Sequence, residues 1–115
     1  MEFEIKTERG ARIIEMSGAL DMHASEEALR VLREAVRSAP NALLLDLSGL
    51  RYLKSSGYQV LFEVIEDSRK LAVPLAVVGA PEGIAEIMRV FRLEDLIPVY
   101  PSVHDALDGL LPVQT

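Results

Sequence analysis

Residues 43 to 64 read LLLDLSGLRYLKSSGYQVLFEV, a single stretch that holds an apolar strand, a short polar loop and the start of an amphipathic helix. Ala42 to Leu47 is a nearly unbroken apolar run, the pattern of a strand covered on both faces and therefore central in its sheet. Beyond Ser55 and Ser56, the residues Val60, Leu61, Val64 and Ile65 recur at helical spacing. Gln59, Glu63, Glu66, Asp67 and Lys70 fall on the opposite face, so a helix is expected to run to about Lys70. Two serines thus stand where a strand hands over to a helix. The N–H groups of a helix's first turn lack intrahelical acceptors, and with the helix dipole they favour a dianion. A hydroxyl at that point is a natural switch position.

Upstream, Phe3, Ile5 and Thr7 alternate with Glu4, Lys6 and Glu8, and Arg9-Gly10-Ala11 turns the chain into Arg12 to Met16, which predicts a hairpin. Ser25 is the expected N-cap of a first helix with Glu26 and Glu27 in its first turn. Its apolar face is Ala28, Leu29, Leu32, Ala35 and Val36, and it is expected to end at Pro40. Downstream, Pro74 to Val78 reads as a short buried strand and Gly79 to Gly83 as a turn. A third helix follows through Ile84, Ile87, Met88 and Phe91, then an edge strand over Pro98 to Tyr100, where proline offers no ladder donor. Ser102 to Leu111 is expected as a fourth helix. A hairpin followed by alternating helices and strands predicts an α/β fold, a mixed and mainly parallel sheet with about four helices packed against it.

The 115 residues suit a single domain over 1–115 with one core. Half of them are hydrophobic, and 12 basic residues against 18 acidic ones give a net charge of −6. Such a field repels nucleic acid and anionic membrane surfaces, so protein partners are expected, without nucleic acid and without direct membrane insertion. Cysteine is absent, which removes thiolate metal sites and cysteine nucleophiles. No segment approaches the roughly 20 apolar residues of a membrane span, and a cytoplasmic location is expected.

Candidate chemistry is sparse. His23 and His104 lie far apart without a closely spaced ligand set, so neither a metal nor another cofactor is expected. Asp21 and Asp46 sit at strand ends, where aspartate commonly bonds turn amides. The Gly79 to Gly83 turn lacks the lysine and hydroxyl of a P-loop. A phosphate-receiver enzyme needs acidic residues after its first strand to hold magnesium; here that strand runs into Arg9-Gly10-Ala11. No nucleophile with an adjacent base is visible, and the chain is not expected to be an enzyme. Ser56, with Gln59 three residues on, fits a capping box.

Four groups of residues together resemble the STAS domain, in particular the small single-domain bacterial anti-sigma factor antagonists. They are Gly18-Ala19-Leu20-Asp21, Leu45-Asp46-Leu47-Ser48-Gly49-Leu50, Ser55-Ser56-Gly57, and Phe91-Arg92-Leu93 through Tyr100-Pro101-Ser102 to Ala106-Leu107. The resemblance runs nearly end to end and implies the STAS fold opened by an N-terminal β-hairpin. It also implies that the chain binds an anti-sigma factor that doubles as a serine kinase and thereby frees a sigma factor. Phosphorylation would prevent that binding and a phosphatase would reset it. The implied phosphoacceptor is Ser55, with Ser56 as the alternative. The expected partner-facing set is Asp21, Lys54, Ser55, Ser56 and Gly57, with Leu53 and Tyr58 because they flank the serines, on a monomer or weak dimer.

Two positions depart from the family's usual Asp-Ser-Ser/Thr-Gly-Leu-Gly. Its aspartate is Lys54 here, and Tyr58-Gln59 replace its Leu-Gly. The same family contains regulatory subunits of lipid-transport ABC complexes and scaffold proteins of stress-signalling assemblies. Both stand as alternative functions.

Overall fold

The computed structural model describes residues 1–38 and 41–111. Arg9 and Gly10 both take positive φ, at 51° and 81°, the twist that a two-residue hairpin loop requires. They join β1 (Glu2–Glu8) to β2 (Ala11–Leu20) in antiparallel register, from Glu2 opposite Ser17 to Glu8 opposite Ala11. All later pairings are parallel. β3 (Leu43–Leu53) lies on β2, β4 (Leu75–Val78) on β3 and β5 (Val99–Tyr100) on β4, giving the sheet order β1-β2-β3-β4-β5. The apolar run is therefore the middle strand, and the proline-led segment is an edge, as the sequence predicts.

Period-two alternation sorts the strands' side chains onto two faces. Ile14, Met16, Leu45, Leu47 and Val77 join one buried cluster with α1 (Met22–Ser38), α2 (Ser55–Lys70) and α3 (Glu82–Val90). Ala11, Ile13, Leu44, Ala76 and Val78 join a smaller one with Ala106 and Leu107 of α4 (Val103–Leu110). Three helices thus cover one face of the sheet and α4 the other. Each fully buried Leu, Ile or Met of these layers stabilises by about 1.5–3 kcal/mol relative to exposure.

Two boundaries differ from expectation. β3 continues to Leu53 rather than stopping at Leu47, because its pairing with β2 survives two register shifts, between Glu15 and Ser17 and between Gly18 and Ala19. Asp46 Oδ1 accepts the Ser48 N–H at 2.9 Å across this irregular part. α1 begins at Met22, not after Ser25: Asp21 Oδ1 accepts the N–H groups of His23 at 3.0 Å and Ala24 at 3.1 Å, which is a cap. Ser25 lies inside the helix, and its hydroxyl donates to the Met22 carbonyl. The helix is described to Ser38; Pro40, its expected end, lies outside the described residues.

Candidate functional site

The long central strand decides where the serines stand. β3 carries Leu53 to the end of β2, and the Lys54 N–H then donates to the Leu20 carbonyl at 3.0 Å. That bond fixes the turn. Lys54 is extended (φ −91°, ψ 170°) and acts as the N-cap residue of α2, while its carbonyl accepts the N–H groups of Gly57 at 2.9 Å and Tyr58 at 3.1 Å. Ser55 is consequently the first helical residue and Ser56 the second. The expected capping box through Ser56 and Gln59 does not form, because the helix starts two residues earlier than that box requires and no side chain caps it. Ser55 is exposed and Ser56 half-buried, so the hydroxyl of Ser55 is the more accessible of the two.

Gly57 brings the first turn of α2 flush against β2. A Cβ at this position would lie 2.6 Å from Leu53 Cδ1 and 2.7 Å from the Leu20 carbonyl oxygen, distances that real side chains do not tolerate. Close approach, rather than a special dihedral, requires the glycine.

Leu53 and Tyr58 correct the expected contact set. They are 4% and 5% exposed, so their side chains support the loop from beneath instead of facing a partner. The Tyr58 ring lies 4.4 Å from that of Phe91, tilted by 33°. Its hydroxyl is buried without a hydrogen-bond partner among the described residues, and desolvation raises its pKa. Phe91, at the end of α3, remains 51% exposed although it covers Tyr58. Val90 beside it and Met22 at the start of α1 are more exposed still.

Phe91 and Val90, together with Met22, are apolar surface that sequence reasoning missed. Phe91 continues the buried period of Ile84, Ile87 and Met88, but α3 has ended at Val90. Val90 itself stands off that period, the one local signal of an outward apolar residue.

Lys54 makes no ion pair among the described residues; its Nζ lies instead 5.0 Å from the centroid of the Tyr52 ring. Tyr52 is exposed, and sequence reasoning missed it; the one available signal is an aromatic two residues before a lysine. Asp21 is engaged in capping α1. Among the described residues no group of three His, Asp or Glu side chains could hold a metal ion, and no helix is long and apolar enough to cross a membrane. His23 is exposed, and His104 Nε2 lies 3.3 Å from Asp108 on α4. The arrangement offers an exposed hydroxyl and a lysine without an ion pair among the described residues, on a strand-to-helix turn held by backbone hydrogen bonds.

Comparison with known proteins agrees with this fold. The family model described as "STAS domain" matches residues 2–106. The anti-sigma F factor antagonist of Paenibacillus polymyxa is 25% identical over 111 residues, which cover 96% of this chain and 95% of the relative. The crystal structure of an anti-sigma factor antagonist from Mycobacterium paratuberculosis superposes with a TM-score of 0.87 at 24% identity, over 96% of this chain and 94% of that one. The Bacillus cell fate determinant SpoIIAA in its phosphorylated form shares the fold with a TM-score of 0.70 at 17% identity, over 94% and 98% of the two chains.

Proposed function

The chain belongs to the STAS domain family, and on that premise we propose that it is an anti-sigma factor antagonist: a binding protein that captures an anti-sigma factor with serine-kinase activity and so releases a sigma factor. Ser55 is the switch. The observation that carries this reading is the exposure of Ser55 at the first position of α2, on a turn locked to β2 through Lys54 and Gly57. A docking surface needs such rigidity, since ordering a loose loop at the moment of binding subtracts from affinity. The names of the relatives support the same reading.

The partner surface comprises Lys54, Ser55 and Ser56, with Gly57 allowing the close approach and the exposed Phe91 and Met22 on neighbouring elements. In the switching step the terminal phosphorus of a nucleoside triphosphate held by the kinase bonds to Ser55 Oγ. Its bond to the diphosphate breaks, and the hydroxyl proton passes to a base on the kinase. The product carries about −1.5 to −2 charge at neutral pH, which a contact built around a neutral hydroxyl must desolvate on rebinding. A phosphatase restores the hydroxyl.

Pull-down of the kinase from the same organism with wild type, Ser55→Ala and Ser55→Asp chains tests this. Alanine should retain the partner and aspartate should lose it. Indifference to both changes would favour a transporter subunit or a stress-assembly scaffold, and the scaffold would announce itself as a very large species in solution.

A further inference from the structure

Helix α2 opens behind a basic residue. Lys54 occupies the N-cap position, yet a lysine side chain carries donors and no acceptor, and no side chain caps this helix. The Ser55 and Ser56 N–H groups precede the first turn bond, from Gly57 to the Lys54 carbonyl. A second observation is independent of the helix end: the Lys54 ammonium, without an ion pair among the described residues, rests 5.0 Å from the centre of the partly exposed Tyr52 ring. A lysine without an ion pair among the described residues and an uncapped turn therefore adjoin Ser55 along the chain.

We propose that Lys54 is the built-in receiver for a phosphate on Ser55: the phosphorylated side chain draws the ammonium from the Tyr52 ring and closes the uncapped turn with its own oxygens. The proposal rests on the Ser55 reading above and specifies its regulation. An exposed cation–π contact is weak, whereas ammonium–phosphate hydrogen bonds are charge-assisted and short. The two groups sit on adjacent residues, so pairing closes almost no loop.

Other charges near the turn do not pre-empt this. Arg51 precedes Lys54 by three residues, and Arg92 follows the Phe91 that covers Tyr58. Asp21, beside Leu20, has an oxygen occupied by the His23 and Ala24 amides, and His23 stands exposed next to it. The consequence for docking is double, because phosphorylation removes the free hydroxyl and the free ammonium together. A chain with aspartate at position 54 would instead set two negative groups side by side.

The test uses the full chain with phosphoserine installed genetically at position 55, so that no kinase is needed and its outcome is separate from the pull-down. The second ionisation of phosphoserine, ordinarily near pH 6, is followed by phosphorus NMR. In wild type it should fall about 0.5–1 unit below its value in Lys54→Gln. The Tyr52 ring resonances should move on phosphorylation in wild type and stay put in the variant. An ionisation that is the same with and without Lys54, or a Tyr52 ring blind to the phosphate, overturns the proposal. Amide exchange at unphosphorylated Ser55 in both chains verifies that Lys54→Gln leaves the turn folded.

Discussion

Helices α2 and α4 both open beside serine and use it in opposite ways. At α4 the Ser102 hydroxyl accepts the Asp105 N–H at 3.1 Å, so the oxygen is committed to holding the first turn. At α2 the serines stand inside the helix behind an extended Lys54, and neither side chain caps it. The turn is held by backbone bonds alone: Lys54 to Leu20, and Gly57 and Tyr58 to Lys54. A hydroxyl that performs no structural task can be modified without dismantling the fold. One residue of offset between serine and helix start separates a cap from a switch.

The largest effect that would break this contrast lies at Gly57. Helix propensity alone predicts that Gly57→Ala stabilises α2 by up to about 1 kcal/mol. Contact geometry predicts the reverse, since the new methyl would overlap Leu53, the Leu20 side chain and the Leu20 carbonyl. A loss of about 1–3 kcal/mol is expected in urea denaturation, as for other overpacked sites. A gain would mean that the turn is not seated against β2 and that the presentation of Ser55 is looser than described.

Next in size is the paired comparison of the serines. Ser102→Ala should cost about 1 kcal/mol, the usual loss for an N-cap. Ser55→Ala, an exposed change without a bond to lose, should stay within about 0.5 kcal/mol. Midpoints of urea unfolding for the two single variants decide it. Equal losses would mean that Ser55 also caps its helix, and the separation of the two roles would go with them.

Much of the fold was legible because its signals are local. Gly10 marks the hairpin, the apolar run at 42–47 marks the central strand, and Pro98 marks an edge. Helix starts were less so, because several residues competed for each cap. Ser25 has the right chemistry, but β2 ends at Leu20, and Asp21 reaches the free amides first. Ser56 lost its cap for the same kind of reason: the extra pairing of β3 to Leu53 brings α2 in two residues early. Tyr58 and Leu53 looked like contacts because they flank the serines in sequence. Phe91, 33 residues on, is what covers Tyr58, and only tertiary structure brings it there. The hydroxyl that the resemblance singled out is nevertheless the exposed one.

The smallest effect sharpens the comparison by giving α2 what α4 already has. Lys54→Asp places an acceptor at the N-cap and a negative charge at the positive end of the helix dipole, changes worth about 1 kcal/mol and 0.3–1 kcal/mol respectively. Against them stands the lost contact with Tyr52, about 0.5–1 kcal/mol at an exposed site, so the net gain should be about 0.3–1.5 kcal/mol. Its pH dependence identifies the source. A carboxylate that accepts first-turn N–H bonds has its folded pKa lowered, so its stabilisation is present above the unfolded value of about 3.9 and disappears as pH falls through the folded value. Urea midpoints of the variant and wild type, measured between neutral pH and pH 3, should therefore show the variant's advantage shrinking in acid, and reversing where the lost Tyr52 contact outweighs what is left of the cap. A gain that persists at low pH would come from removing the cation, and α2 would then be a helix that Lys54 destabilises rather than one that simply lacks a cap.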